Sequence, residues 1–362
     1  MKKYDVIGMM SGTSLDGLDI AFVRFSYKSD WQFEVLGCKT VEYDDAWKRQ
    51  LQCAGELNAF ELKELDLRYG TWLGEQARGF MNAINIQPAL IVSHGHTIFH
   101  RPQCGITLQI GDGYNIMQQT QLKTICDLRS LDIALGGQGA PLVPIGDELL
   151  FYEYDLCLNL GGFSNISFKQ KSKRTAFDIC PVNTVLNYLA SKKGFEYDHE
   201  GTMARAGHAD MSLFKQLNAL KFYGDTPPKS LGMEWVTEHI LPLLKEETPE
   251  NLLHTFCHHV AYQISLTIAS HYSKYPISHK PKMLVTGGGA KNTFLIELIA
   301  SYANGKIEMH IPDDELIDFK EAIIFAFLGL LRSLGKINTL SSVTGAKSDS
   351  SGGLVYEPLY RN

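Results

Sequence analysis

The sequence predicts an α/β protein of two halves built on one plan, and three observations carry that prediction. A short strand, a Gly/Ser/Thr turn and a second strand open the chain, and the same pattern returns about 150 residues later. A second pair of buried-strand runs, each closed by a hydroxyl residue and glycines, follows in the same order in each half. Long stretches with apolar residues at helical spacing surround these strands. At 362 residues the chain also exceeds the ~250–300 residues at which a single core stops growing.

The first hairpin is read over residues 4–9, the turn Ser11-Gly12-Thr13-Ser14-Leu15-Asp16-Gly17, and residues 18–25. A tight polar turn between two apolar runs is a hairpin signature. Its echo runs over 154–160, Gly161-Gly162-Phe163-Ser164-Asn165, and 166–169. The run 88–95, ending Ser93-His94-Gly95, aligns with 281–288, ending Thr286-Gly287-Gly288. Helices are expected over 59–84, 250–272, 292–303 and 320–334. One strand ending in glycine is ordinary in an α/β protein; two echoes in the same order point to duplication. Two such halves imply a cleft between lobes. The Gly/Pro-rich stretch 126–144, with Gly136-Gly137-Gln138-Gly139-Ala140-Pro141, suits a crossover where backbone meets ligand or hinge. The expected division is an N-terminal lobe of residues 1–127 plus about 340–362, and a C-terminal lobe of 128–339.

Composition narrows the function. The chain is 44% hydrophobic and 20% charged, which excludes disorder and fibrous repeats. Thirty-four Lys and Arg against 40 Asp and Glu give −6, the wrong sign for nucleic acid, which demands clustered basic charge. Seven cysteines, an odd number with no CxxC pair, predict reduced thiols in a cytoplasmic protein. Asp5 and Gly8 interrupt any leader-like apolar run, and the longest apolar run, 322–331, is half of the ~20 residues of a span, so no membrane association is expected.

No GxxxxGK[ST] motif is present, nor a GxGxxG between strand and helix, so P-loop and dinucleotide-binding folds are weak readings. Glycine hairpins, one from each half, offer another phosphate-binding solution, because glycine lets backbone N–H groups approach an anion. Gly12 and Gly17, with the hydroxyls of Thr13 and Ser14, form the first; a simple turn is the competing reading. Gly287-Gly288-Gly289 running toward a helix would admit an adenosine or α-phosphate. Asp16 and Asp19 flank the first hairpin and are candidate Mg²⁺ ligands, since hard cations take oxygen donors. Asp112, in the turn after residues 106–110, and Asp178, at the expected end of a strand over 175–177, are candidate catalytic carboxylates. A lone Asp at a strand end is more commonly a cap. His94, His96 and His100, and the helical-face set His254, Cys257 and His258, lack zinc-site spacing; the former read better as polar donors lining a cleft.

Taken together, these residues resemble the anhydro-N-acetylmuramic acid kinases of the sugar kinase/actin/Hsp70 superfamily. The blocks that carry the resemblance are Gly8-Met9-Met10-Ser11-Gly12-Thr13-Ser14-Leu15-Asp16-Gly17-Leu18-Asp19, Ser93-His94-Gly95, Gln109-Ile110-Gly111-Asp112-Gly113 and Cys126-Asp127-Leu128-Arg129-Ser130. They continue through Gly136 to Pro144, Asn159-Leu160-Gly161-Gly162, Pro228-Lys229-Ser230, Gly287 to Asn292 and Glu321-Ala322. The resemblance implies duplicated ribonuclease H-like, actin-like ATPase domains flanking an interdomain cleft. It implies ATP and Mg²⁺ as cofactors, a sugar substrate and a homodimer. It places ATP on Gly12, Thr13, Ser14, Leu15, Asp16, Gly17, Leu18 and Asp19, with Gly161, Gly162, Gly287, Gly288 and Gly289. It makes Asp178 the general base, and His94, Asp112, Arg129, Asn183 and Glu321 sugar contacts. The implied reaction opens the 1,6-anhydro ring of 1,6-anhydro-N-acetylmuramic acid with water and phosphorylates O6.

The sequence departs from the family pattern at Cys180 and Val182, where glycines are usual, at His96 for Gln, and at Met233 for Arg. These departures keep open a kinase of another amino sugar. The shared architecture keeps open a non-catalytic ATP-binding protein.

Overall fold

Two sheets with one strand order organise the computed structural model of the chain, which describes residues 2–12, 15–170, 173–227, 229–245 and 247–358. In the first, β1 (Lys2–Ser11) pairs antiparallel with β2 (Gly17–Tyr27), and β2 antiparallel with β3 (Trp31–Glu42). On its other side β1 runs parallel to β4 (Leu90–Ser93); beyond a separate hairpin of β5 (His96–Arg101) and β6 (Ile106–Ile110), β4 runs parallel to β7 (Thr124–Cys126). The second sheet repeats this with β8 (Leu156–Leu160), β9 (Phe163–Gln170), β10 (Lys173–Pro181), β11 (Lys282–Thr286) and β12 (Glu308–His310). Both read third–second–first–fourth–fifth, with three antiparallel strands followed by two parallel to the first. This is the ribonuclease H-like arrangement, so duplication is written in the topology itself. A last strand, β13 (Leu354–Tyr356), adds to β7 at the edge of the first sheet.

The central strands are buried on both faces, as parallel strands covered by helices must be. The helix Ala59–Ile84 starts on a capping box between Asn58 and Glu61 and ends at Asn85 in the left-handed region, φ 54°. Its Leu65, Tyr69, Leu73, Ala77 and Phe80 recur at helical spacing and pack on Ile7, Met9, Ile20 and Phe22. In the second unit the helix Pro249–Lys274, capped by Thr248, supplies Leu253, Phe256, Val260 and Ile264 to a core with Leu156, Leu158, Phe168 and Val285. Gly8 lets another helix lie close on β1: a Cβ there would collide with the Ala322 carbonyl.

The chain divides into residues 1–151 with 319–362, and 152–318. The sequence reading set these boundaries at 127/128 and 339/340. The difference has a packing cause. Residues 128–151 join the first unit through Gly146, which abuts Ile324, and through the buried Asp147–Lys320 ion pair at 2.8 Å. The helix Asp314–Ser333 also begins six residues before the expected start, because Asp313 accepts from the Leu316 N–H and the first turn is acidic. A polar first turn carries no apolar periodicity. No helix of the described residues is long and apolar enough to cross a membrane.

Candidate active site

In the second unit β10 is an edge strand, and Asp178 lies within it. The sequence reading ended that strand at residue 177; instead it continues to Pro181 past a register shift between Asp178 and Cys180. A bulge of this kind re-aims a side chain without ending the strand. It leaves Ile179 buried and Asp178 half-buried. The open edge is met by the segment 229–231. The Asp178 N–H donates to the Lys229 carbonyl at 3.1 Å, and the Leu231 N–H donates to Asp178 Oδ2 at 2.9 Å. Burial raises the Asp178 carboxyl to about 6, with the Leu231 N–H opposing it.

Beside the ends of β8 and β11 the glycine segments converge with Asn183. The Val182 and Thr184 N–H groups donate to the Gly162 carbonyl, the Asn183 N–H donates to that of Gly161, and Asn183 Nδ2 donates to Leu160 O at 3.2 Å. Gly287, Gly288 and Gly289 are not equivalent. Gly287 has φ 81° and a Cβ there would press on Leu160, as would one on Gly289. A Cβ on Gly288 would meet only Asn183 Nδ2, at an ordinary 3.5 Å. Packing thus accounts for two of the three glycines and leaves Gly288 lining a cavity of about 760 Å³ with Asn183, Tyr197, His199, Lys291 and Asp318. The glycines do not run straight into the following helix: a 3₁₀ turn (Gly288–Lys291) intervenes, and Asn292 caps Thr293–Ala303 with its own side chain.

In the first unit the hairpin turn contains Thr13 and Ser14, which lie outside the described residues. Gly12 accepts from the Leu15 N–H at 3.4 Å, Asp16 is exposed, and Asp19 Oδ1 accepts from Thr40 Oγ1 at 2.6 Å. The Leu18 side chain is fully buried in the core, so only its backbone can face a ligand, and Gly17 is required by the close approach of the Val41 carbonyl.

Arg129 gathers the second set of predicted residues. Its Nε donates to His94 Nε2 at 3.0 Å and its NH1 to the Gly139 carbonyl at 2.6 Å, while its guanidinium lies 5.9 Å from the Phe325 ring. Burial pulls Arg129 down to about 10, and the nearby Glu321 carboxylate opposes that. His94 accepts at Nε2 and donates from Nδ1 to the Gly95 carbonyl at 2.9 Å, the pattern of a neutral ring. Burial first, then the Arg129 charge, hold its basicity well below the ordinary value. Asp112 stands apart from this set. It caps Gly113–Thr120 through the Asn115 N–H and accepts from Lys63 Nζ at 3.0 Å, the capping role weighed for it above. No group of three or more His, Cys, Asp or Glu among the described residues is placed to share a metal ion.

A family profile described as anhydro-N-acetylmuramic acid kinase matches residues 4–358. The chain belongs to that family. A relative from Aliivibrio fischeri named anhydro-N-acetylmuramic acid kinase is 33% identical over 383 residues, covering 98% of this chain and 99% of its own. Relatives of the same name from Mannheimia succiniciproducens and a Picosynechococcus are 32% and 33% identical, covering 98% and 94% of this chain and 99% and 96% of theirs.

Cys180, Val182, His96 and Met233, read as departures from the family pattern, have the following surroundings. Cys180 is fully buried with Sγ 3.2 Å from Ser164 Oγ, and burial pushes its thiol up to about 12. Val182 is buried in the same core. His96 accepts the Ser11 hydroxyl at Nδ1, 2.9 Å away, and Ser11 in turn accepts from Tyr43. Met233 is exposed. Sequence reasoning missed the 229–231 segment as a partner of Asp178. The sequence signal for it is Pro228-Lys229-Ser230, one of the blocks that carry the family resemblance.

Proposed function

We propose that this chain binds ATP and 1,6-anhydro-N-acetylmuramic acid, opens the anhydro bridge with water and phosphorylates O6, releasing N-acetylmuramic acid 6-phosphate and ADP in the recycling of cell-wall sugars. Family membership across residues 4–358 carries this reading. Asp178 has the state a general base needs: half-buried, held by one backbone donor, and raised to about 6, so that it is ionised yet basic near neutral pH. It takes a proton from water as the oxygen attacks the anomeric carbon. The bond from that carbon to O6 breaks, and O6 forms a bond to the γ-phosphorus as the β–γ bridge leaves with ADP. Capture by phosphorus spares O6 from leaving as a free alkoxide, which requires O6 in line with the breaking bond.

Arg129, oriented by neutral His94, presents a cation with further N–H donors to the sugar's oxygens, and Glu321 and Asn183 supply further polar contacts. Gly288 leaves room for a nucleotide beside Asn183, with Gly161, Gly162, Gly287 and Gly289 shaping the strand ends around it. Gly12 and the Asp16–Asp19 turn are assigned to the phosphates. The exposed Asp16 and the half-buried Asp19 are hard oxygen donors that suit Mg²⁺, which would spread charge on the transferring phosphoryl group. A cytoplasmic location and a homodimer belong to the same reading; sedimentation of the purified chain tests the second.

The test is turnover. The purified protein with the anhydro sugar, ATP and Mg²⁺ should release ADP and a singly phosphorylated, ring-opened product, and Asp178→Asn should lower kcat by about 10²–10⁴-fold while ATP still binds. For the wild type, kcat/KM should fall as pH drops below about 6, where Asp178 takes up its proton. Sugar left intact sinks the reading. Faster phosphorylation of free N-acetylglucosamine or N-acetylmuramic acid would assign the chain to another amino sugar.

A further inference from the structure

The carboxylate assigned as base sits on an edge strand, and what covers that edge is a short irregular segment instead of another strand. Two hydrogen bonds join them: the Asp178 N–H donates to the Lys229 carbonyl at 3.1 Å, and the Leu231 N–H donates to Asp178 Oδ2 at 2.9 Å. A segment of three residues has little to hold it in place unless a side chain anchors it. Lys229 provides that anchor. Its Nζ donates to the Phe222 carbonyl at 3.0 Å and lies 4.5 Å from the centre of the Phe222 ring. Phe222 is itself fixed, packed at 5.4 Å on Trp235 beside Tyr223, whose hydroxyl is 2.9 Å from Nε2 of the fully buried His259. A continuous run of contacts therefore leads from the core helix Pro249–Lys274 through Tyr223, Phe222 and Lys229 to the peptide N–H that holds the carboxylate.

We propose that Lys229 is a positioning residue for the reaction: its side chain fastens the 229–231 segment, whose backbone fixes the orientation of the Asp178 carboxylate. The inference rests on the assignment of Asp178 as general base. The ammonium faces the aromatic turn, and the influences on Asp178 are burial and the Leu231 N–H, so Lys229 acts through the segment. Among the described residues, the titratable groups around them are the buried Cys180 thiol on β10, Tyr223 and Asp225 from the turn behind Lys229, and His259 against Tyr223; Asn165, opposite Asp178 on β9, carries no charge. Burial lowers Lys229 from its ordinary value and Asp225 opposes that.

Loss of the anchor frees the Leu231 N–H from Oδ2. Because that N–H favours the ionised carboxylate, its loss raises the basicity of Asp178 further. Lys229→Met should therefore lower kcat about tenfold with KM for ATP unchanged, and move the acid-limb inflection of kcat/KM from about 6 toward about 7. Lys229→Arg, which keeps a cation over the ring and N–H donors for the carbonyl, should retain the wild-type inflection. Leu231→Pro removes the donor directly and should reproduce the Lys229→Met profile, with thermal melting of each variant confirming a folded protein. If Asp178→Asn turns over like wild type, the assignment of the base fails and this inference with it. If Asp178→Asn is inactive but Lys229→Met and Leu231→Pro keep the wild-type inflection and kcat, the positioning role alone is wrong.

Discussion

Gly288 shows how a glycine that packing does not demand marks a candidate site. Gly287 and Gly289 are demanded by the close approach of Leu160, whereas a methyl group on Gly288 would touch only Asn183 Nδ2 at 3.5 Å. Gly288→Ala should leave the melting temperature unchanged, within the ~0.5 kcal/mol typical of a substitution that breaks no packing, while raising KM for ATP at least tenfold; steady-state kinetics and a thermal melt check both. The glycines and Asp178 can be singled out in the sequence as candidates because chemistry restricts such positions to few residue types. Their surroundings cannot. Whether Asp178 ends its strand or sits inside it depends on the bulge at Ile179, and a bulge is decided by pairing with β9. Asp112 and Asp178 look alike in sequence, yet one carboxylate is taken up by Lys63 and a helix cap and the other by a single peptide N–H. The neutral state of His94 follows from its burial and then from Arg129, 35 residues away, a distance that no local pattern spans.

At the scale of elements, the paired hairpins and the long helices were readable because their periodicity is strong. The expected helix over 59–84 coincides with the one present, which opens on a capping box between Asn58 and Glu61. Elements whose start is polar, or whose partner is a loop, were not readable, and the first turn of Asp314–Ser333 and the 229–231 segment are the two cases. The later part of that helix lies so close to β1 that Gly8 has no room for a side chain. Gly8→Ala must push the helix and strand apart, and should destabilise the protein by about 1–3 kcal/mol in denaturant titrations, as overpacked cores do. A neutral result would mean that the helix does not rest on β1 as described.

For the whole molecule, duplication was legible in the order of the two echoes, and the matching strand orders establish it. The boundaries were not, because 128–151 belongs with the first unit through packing with residues far along the chain. Burial on this scale also sets the response to acid. His96 and His271 are lowered to about 4 and His259 to about 3, with His94 also well below its ordinary value. A folded-state basicity below the unfolded one means that the unfolded chain binds more protons. Stability should therefore fall as pH drops through about 6.5 and keep falling to about 4. Asp178, raised to about 6, and Glu321, also raised by burial, work in the opposite direction, but the lowered histidines, which include His100 and His258, outnumber them. Chemical denaturation at pH 7.5 and pH 5 should show the loss and a net uptake of protons on unfolding; equal stability at the two values would contradict the buried, neutral histidines.

Water should enter at the sugar while phosphate goes to the oxygen that the broken bridge releases. Turnover of 1,6-anhydro-N-acetylmuramic acid with ATP in ¹⁸O-water, followed by mass spectrometry of the product, measures this directly. Heavy oxygen is expected on the anomeric carbon of N-acetylmuramic acid 6-phosphate and none on the phosphoryl group. Label on the phosphate, or an unlabelled sugar, would contradict this.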